Sequence, residues 1–458
     1  MTQRTDRLRG LVLRALPRLR DEDGSALMAA FWMLVVLLLV GLATSYSTST
    51  EVQLAGNERL NTQLFYLAEA GVAQVKRHLD GLGVPLTGTG DDGTEPVLVF
   101  HNEPIGAPGA VSGFFTAYVD PQARQEGKPT KFLAITVRAW IGDNPMTKIV
   151  QELVGQENFA KYSYFTDAEI PPSGMTIWFT SGDVLRGPVH SNSQFNINGD
   201  PIFMKEVTTT AGSLNLAGGS NPDFREGIEY NVDPIRLPAS TALLRAKAQE
   251  SDGLYISSSA TLELGYDPVT EFSYVDVDQG SGVTRYQLPQ NGVIHVDGAA
   301  YLEGTLRGQL TIATSGDLYL TDDIIYVTDP RIDPTSDDLL GLVSEQNIIV
   351  DDTAANLDSG DETFMCVMMA LNTSFTVDRY NQGTPRGSLR VIGGIIQQYR
   401  GPVGTFGGGG ISTGYEKDYA YDSRLADNPP PSFPTTGIIT TLSWKEMDPS
   451  YDISSNVF

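Results

Sequence analysis

The sequence predicts a mainly β protein carried on one long N-terminal α-helix. A small antiparallel sheet is expected first, then a β-helix-like solenoid or an elaborated β-sandwich. Three observations carry this reading. Residues 24–50 contain no Asp, Glu, Lys, Arg or His. An apolar stripe at helical spacing follows directly. Beyond it, 47 glycines and 26 prolines punctuate short β runs across a chain of 458 residues, which favours turns and strands over long helices.

Taken in order, residues 1–24 form a basic leader with six arginines, closed by the acidic Asp21, Glu22 and Asp23 before Gly24. The segment from Ala26 to Ala43 is nearly pure apolar. At about 1.5 Å per residue it rises roughly 27 Å, close to the hydrocarbon thickness of a bilayer. A soluble core seldom needs so long an uninterrupted apolar run, so this segment is expected to enter a membrane. Arginine-rich flanks stay cytoplasmic, which places the body on the other side. Leu60, Leu64, Leu67, Ala68, Val72, Val75 and Leu79 then recur on one face, the pattern of an amphipathic helix. Residues 25–80 therefore read as one helix, with Gly41, Gly56 and Gly71 as weak points.

Residues 81–93 are a Gly-rich linker. Between 94 and 155, runs such as Phe114 to Val119 and Phe132 to Trp140 alternate and are split by turn residues. They predict a small antiparallel sheet against the amphipathic helix. From 156 to 458 the runs shorten to three to six residues at uneven spacing, among them Val293 to Asp297, Gly308 to Ala313 and Asn347 to Val350. No strict period marks a repeat protein. Short runs at close spacing suit stacked coils.

A basic leader, a glycine, a charge-free apolar stretch and a continuing amphipathic helix resemble the N-terminus of type IV pilin-like proteins, and more closely of PilX-type minor pilins. The residues carrying the resemblance are Gly24, Ser25, Ala26 and Leu27, then the block from Glu51 to Asn57 and Glu58, then Phe65 to Glu69, Ala70 and Gly71. The resemblance implies prepilin peptidase cleavage between Gly24 and Ser25. It also implies an assembly helix, including Glu51, Asn57, Glu58, Glu69 and Gly71, that packs with other pilin or minor pilin subunits. Major pilins usually have glutamate at the fifth mature position, and here Ala29 stands there, which fits a tip or initiating subunit better than a repeating one. The body also resembles an uncharacterised envelope-protein domain, through the segments 187–192, 298–304, 338–343, 394–404 and 428–434.

Composition narrows the chemistry. With 31 basic against 56 acidic residues the net charge is −25, which argues against nucleic-acid binding through a basic surface. A single cysteine, Cys366, excludes an intrachain disulfide framework and multi-cysteine metal sites. Its apolar neighbours make it a small buried hydrophobe. His190 reads as a hydrogen-bonded turn histidine. The G-x-S-x-G pattern at Gly410, Ser412 and Gly414 has no later histidine to serve it. The acid groups Asp322-Asp323, Asp337-Asp338, Asp351-Asp352 and Asp358 with Asp361-Glu362 read as solvated turns rather than a metal or glycosidase site. The expectation is a non-enzymatic minor pilin or pseudopilin-like protein of the cytoplasmic membrane. It would need no cofactor or metal, and would display an acidic head to an extracellular ligand that the sequence leaves unnamed. The alternative is a membrane-anchored adhesin or carbohydrate-directed β-helix protein outside any filament.

Overall fold

The computed structural model describes residues 23–82, 95–107, 110–124, 131–353, 356, 360–407 and 410–455. Residues 1–22 of the expected leader (1–24), most of the linker and Asp358 lie outside them. One helix of 60 residues, Asp23–Leu82, runs through all three glycines without a break. Its length is about 90 Å at the helical rise.

Strands Val97–Ala107, Ala110–Arg124, Lys131–Trp140 and Thr147–Asn158 form an antiparallel meander. Leu67, Ala68, Val72, Val75 and Leu79 bury against Phe115, Val119, Ile135, Val137 and Val150 on one face of it. The predicted stripe thus points at the predicted sheet. Gly71 sits at a close approach, where a Cβ would come within 2.8 Å of Val137 and 2.9 Å of Phe115. The fifth strand comes from the far end of the chain: Thr435–Met447 pairs antiparallel with Thr147–Asn158. Everything between is inserted into this sheet.

The insertion is a large mixed sheet in which most strands stack in parallel. One ladder has ten strands, all paired in parallel. From one end of the stack they are Ile228–Tyr230, Val207–Thr209, Val189–Ser191, Tyr164–Ala168, Pro385–Tyr399, Glu362–Ala370, Leu339–Ser344, Gln309–Thr314, Val293–Val296 and Leu254–Ile256. A second ladder stacks Ala260–Asp267, Ala300–Leu306, Leu318–Tyr326, Ile348–Val350 and Phe375–Val377.

The stacking order is not the chain order. The chain enters in the middle at Tyr164–Ala168 and climbs to one end. It then crosses to the other end through residues 231–241 and the short helix Ala242–Ala248, and winds back. The last coil, at Pro385–Tyr399, docks beside the first, at Tyr164–Ala168.

The long ladder is covered on both sides. Leu310, Ile312, Leu340, Leu342, Cys366 and Met368 face the lumen. Ala313, Val343, Val367, Met369 and Ile396 face outward and are covered by Ile235, Leu244, Ala248, Leu425 and Phe433. Double burial explains why Phe364 to Ala370 is a continuous apolar run rather than an alternating one.

Candidate assembly helix

The long helix has two unlike halves. From Ser25 to Gln63 nearly every side chain is exposed, including apolar ones such as Leu27 and Leu37 at 75% and 65%. Water does not tolerate such a surface on a free helix; lipid or neighbouring helices do. Polar residues at its outer end satisfy themselves within the helix. The hydroxyls of Thr44, Thr48 and Thr50 donate to the carbonyls of Gly41, Thr44 and Tyr46 at 3.0, 2.8 and 2.9 Å, the usual arrangement for hydroxyls facing apolar surroundings.

The second half is docked, and its polar side is clamped as well as its apolar stripe. Asn61 Oδ1 accepts from Lys148 Nζ at 2.9 Å. Glu69 Oε1 accepts from Trp444 Nε1 at 2.6 Å. Lys76 Nζ donates to Glu152 Oε1 at 2.5 Å and to Thr441 at 2.9 Å. These partners sit on Thr147–Asn158 and on the late strand Thr435–Met447. Lys148 also pairs with Glu446 across those two strands.

Of the residues singled out from the sequence, Gly24 and Ser25 fall in the first turn of the helix, and Ala26 to Ala43 is its most apolar stretch. Glu51, Asn57 and Glu58 are exposed on the free half. Glu69 and Gly71 belong to the docked half, Glu69 bonded to Trp444 and Gly71 against Val137 and Phe115. The clamp by Trp444, Thr441 and Glu446 went unread, because nothing local in residues 435–447 shows which sheet they join.

The other candidates have structural partners. His190 is buried in a strand, with Nδ1 2.7 Å from Thr208 Oγ1 and Nε2 2.8 Å from Asn192 Oδ1. Burial holds its pKa below the ordinary histidine value. Cys366 is fully buried, and burial pushes its thiol pKa up. Ser412 lies inside the strand Gly410–Ala420, which pairs antiparallel with Gly404–Gly407. A nucleophile elbow would instead need a turn into a helix.

Asp338 accepts main-chain N–H groups of Gly308 and Thr328 at 2.7 and 3.0 Å, and Asp352 pairs with Arg379 at 2.9 Å. Among the described residues, Asp322, Asp323 and Glu362 are the acids of these groups that converge. Their carboxylate oxygens lie within 4.8 Å of one another, brought together by the rung Ile324–Phe364. Hard-cation sites draw on such oxygens. Partial burial, with the Asp322 charge in support, holds Asp323 above the usual carboxylate range.

Residues 23–73 match the family model for the PilX N-terminal region, and residues 144–212 match a domain of unknown function, DUF4900. No curated protein matches the chain. Among solved structures, the chain is similar to the competence-associated pilin ComZ from Thermus thermophilus at 12% identity. The match covers 84% of this chain and 97% of that one, with a TM-score of 0.34. The chain carries a PilX-type pilin N-terminus followed by an uncharacterised β-rich region, and its N-terminal helix is long and apolar enough to cross a membrane.

Proposed function

We infer that the chain is a minor pilin or pseudopilin-like envelope protein that takes part in assembling, or caps, a type IV pilus-like filament. One observation carries this reading: a single helix is exposed over its first forty or so residues, with its apolar stretch from Ala26 to Ala43, then docked by a stripe and polar clamps over its last twenty. That division suits an element that packs with other pilin helices while holding a head outside. The PilX-type match over 23–73 supports it. The arginine-rich leader favours a cytoplasmic N-terminus, with the acidic head periplasmic or extracellular. Prepilin peptidase is the expected processing partner, with cleavage between Gly24 and Ser25. The role is structural rather than enzymatic.

The test is the N-terminal residue of the membrane-extracted protein, measured by mass spectrometry from cells with and without prepilin peptidase. Peptidase-dependent Ser25 is the expected result. An N-terminus near Met1 in both strains would leave an anchored adhesin or carbohydrate-directed protein instead.

A further inference from the structure

A cavity of about 390 Å3 opens where the first coil meets the last. Pockets for small organic ligands start at roughly 300 Å3. Its walls come from two distant stretches, Tyr164 to Asn198 and Phe375 to Tyr419. Trp178, Phe179, Tyr380, Phe406 and Tyr419 give it an aromatic lining, which runs from the exposed Phe406 at the rim to the buried Phe179.

Five charged side chains line it as well, and four of them are already paired. Arg400 Nη1 donates to Glu169 Oε2 at 3.0 Å, and its guanidinium lies 3.6 Å over the Phe179 ring. Lys417 Nζ donates to Asp183 Oδ1 and Oδ2 at 3.0 and 3.2 Å. Asp418 Oδ2 accepts from Arg390 Nε at 2.8 Å. The fifth is Arg186, which is exposed and has no ion pair among the described residues. Counted with their partners, these groups are four cations against three carboxylates. On a chain of net charge −25, the cavity thus holds a local positive excess.

That excess selects a ligand class. A cation would face Arg186 while every lining carboxylate is taken. A neutral molecule seated against Arg186 would displace water from the guanidinium without matching its charge. A dianion such as a phosphate ester would bring more charge than the one unpaired cation balances. A single carboxylate matches both the charge and the planar fork of N–H donors. Since Arg186 is exposed, the charged end belongs at the mouth, and a flat apolar body belongs on the aromatic lining within. We propose that this cavity binds a small aromatic monocarboxylate, with Arg186 recognising its charge. The proposal stands independently of N-terminal processing, since the cavity belongs to the head alone.

The test is calorimetric titration of the full chain in an uncharged polyoxyethylene detergent and a buffer free of carboxylate and phosphate. The probes are benzoate, phenylacetate and indoleacetate, their primary amides, phenyl phosphate and benzylamine. At least one of the acids is expected to bind with Kd of about 1 mM or tighter, and its amide about tenfold more weakly. Because the ligand bridges the first and last coils, the acid should also raise the thermal midpoint. Arg186→Gln should weaken the acid about tenfold, to the level of the amide, and leave the amide itself unchanged. Arg186→Lys keeps the charge but not the fork, and should retain part of the difference. Neither variant breaks an ion pair, so the thermal midpoint without ligand should stay that of the parent. Phe406→Ala should weaken acid and amide alike. The proposal is overturned if no acid binds, if acid and amide bind equally, if Arg186→Gln leaves their difference in place, or if phenyl phosphate or benzylamine binds in preference.

Discussion

The antiparallel sheet and the stacked coils are each completed by a strand that arrives late in the chain. Thr435–Met447 joins the sheet, and Pro385–Tyr399 closes the stack onto Tyr164–Ala168. The joining strand of the sheet is largely exposed, and its charged contact joins Glu446, 49% exposed, to Lys148, 9% exposed. The seam of the stack is covered on both sides, and its Arg400–Glu169 pair is 2% and 0% exposed. A pair with one partner in water is less costly to break than a pair buried on both sides, which adds little as a whole and much when halved. The sheet should therefore tolerate the loss of its charged contact, while the seam uses its pair to fix which strand docks beside Tyr164–Ala168.

The sharpest way to break this comparison is to remove one charge at each closure. Arg400→Ala leaves Glu169 buried without its cation and should cost about 3–5 kcal/mol in urea unfolding. Glu446→Ala leaves Lys148 its Asn61 partner and should cost less, about 1–3 kcal/mol. Replacing both seam partners, Arg400→Met with Glu169→Leu, should recover much of the loss. Equal costs at the two closures would show that the seam is held by its apolar neighbours alone.

A second contrast sits within the long helix. Leu67→Ala removes a buried side chain from the stripe and should lower the stability of the helix–sheet unit by about 2–5 kcal/mol. Leu37→Ala, on the free half, should leave the unfolding of the head unchanged. If Leu37→Ala destabilised the head as well, the free half would be packed against it in solution.

The helix could be read from sequence because both its signals are local: a charge-free run, then a 3.6-residue stripe whose members Leu64 to Leu79 are buried where expected. The inward-facing Cys366 was legible for the same reason. The stacking order was not, since pairing Tyr164 with Ile395 is decided across 231 residues. Arg400 stands in a polar-looking run from Gln397 to Gly401, and only the seam shows it to be a core residue. Asp322, Asp323 and Glu362 were each visible as acids, but their convergence depends on a rung between two strands.

The smallest expected effect concerns pH, and it belongs to the segment that crosses the stack. His295 is 1% exposed and stacks on Tyr255. Its Nε2 lies 2.9 Å from Thr241 Oγ1, which in turn donates to Glu345 at 2.8 Å. Burial, with the Arg245 charge adding, lowers its pKa from 6.5 to about 4, against weaker opposing pulls from Asp297 and Glu345. A folded-state pKa below the unfolded one means that the unfolded chain takes up the proton first as pH falls. The stabilisation is therefore whole above about pH 6.5 and is lost progressively down to about pH 4, with an upper bound of about 3 kcal/mol. His190, also lowered by burial, contributes with the same sign. Asp323, raised by burial, works the other way, since protonating it favours the folded form. Replacing His295→Asn removes one contribution and leaves the others. Urea unfolding of both proteins between about pH 7 and pH 4 should give a steeper acid loss for the parent. Parallel curves would mean that the crossing segment has already released His295 to water before the stack unfolds.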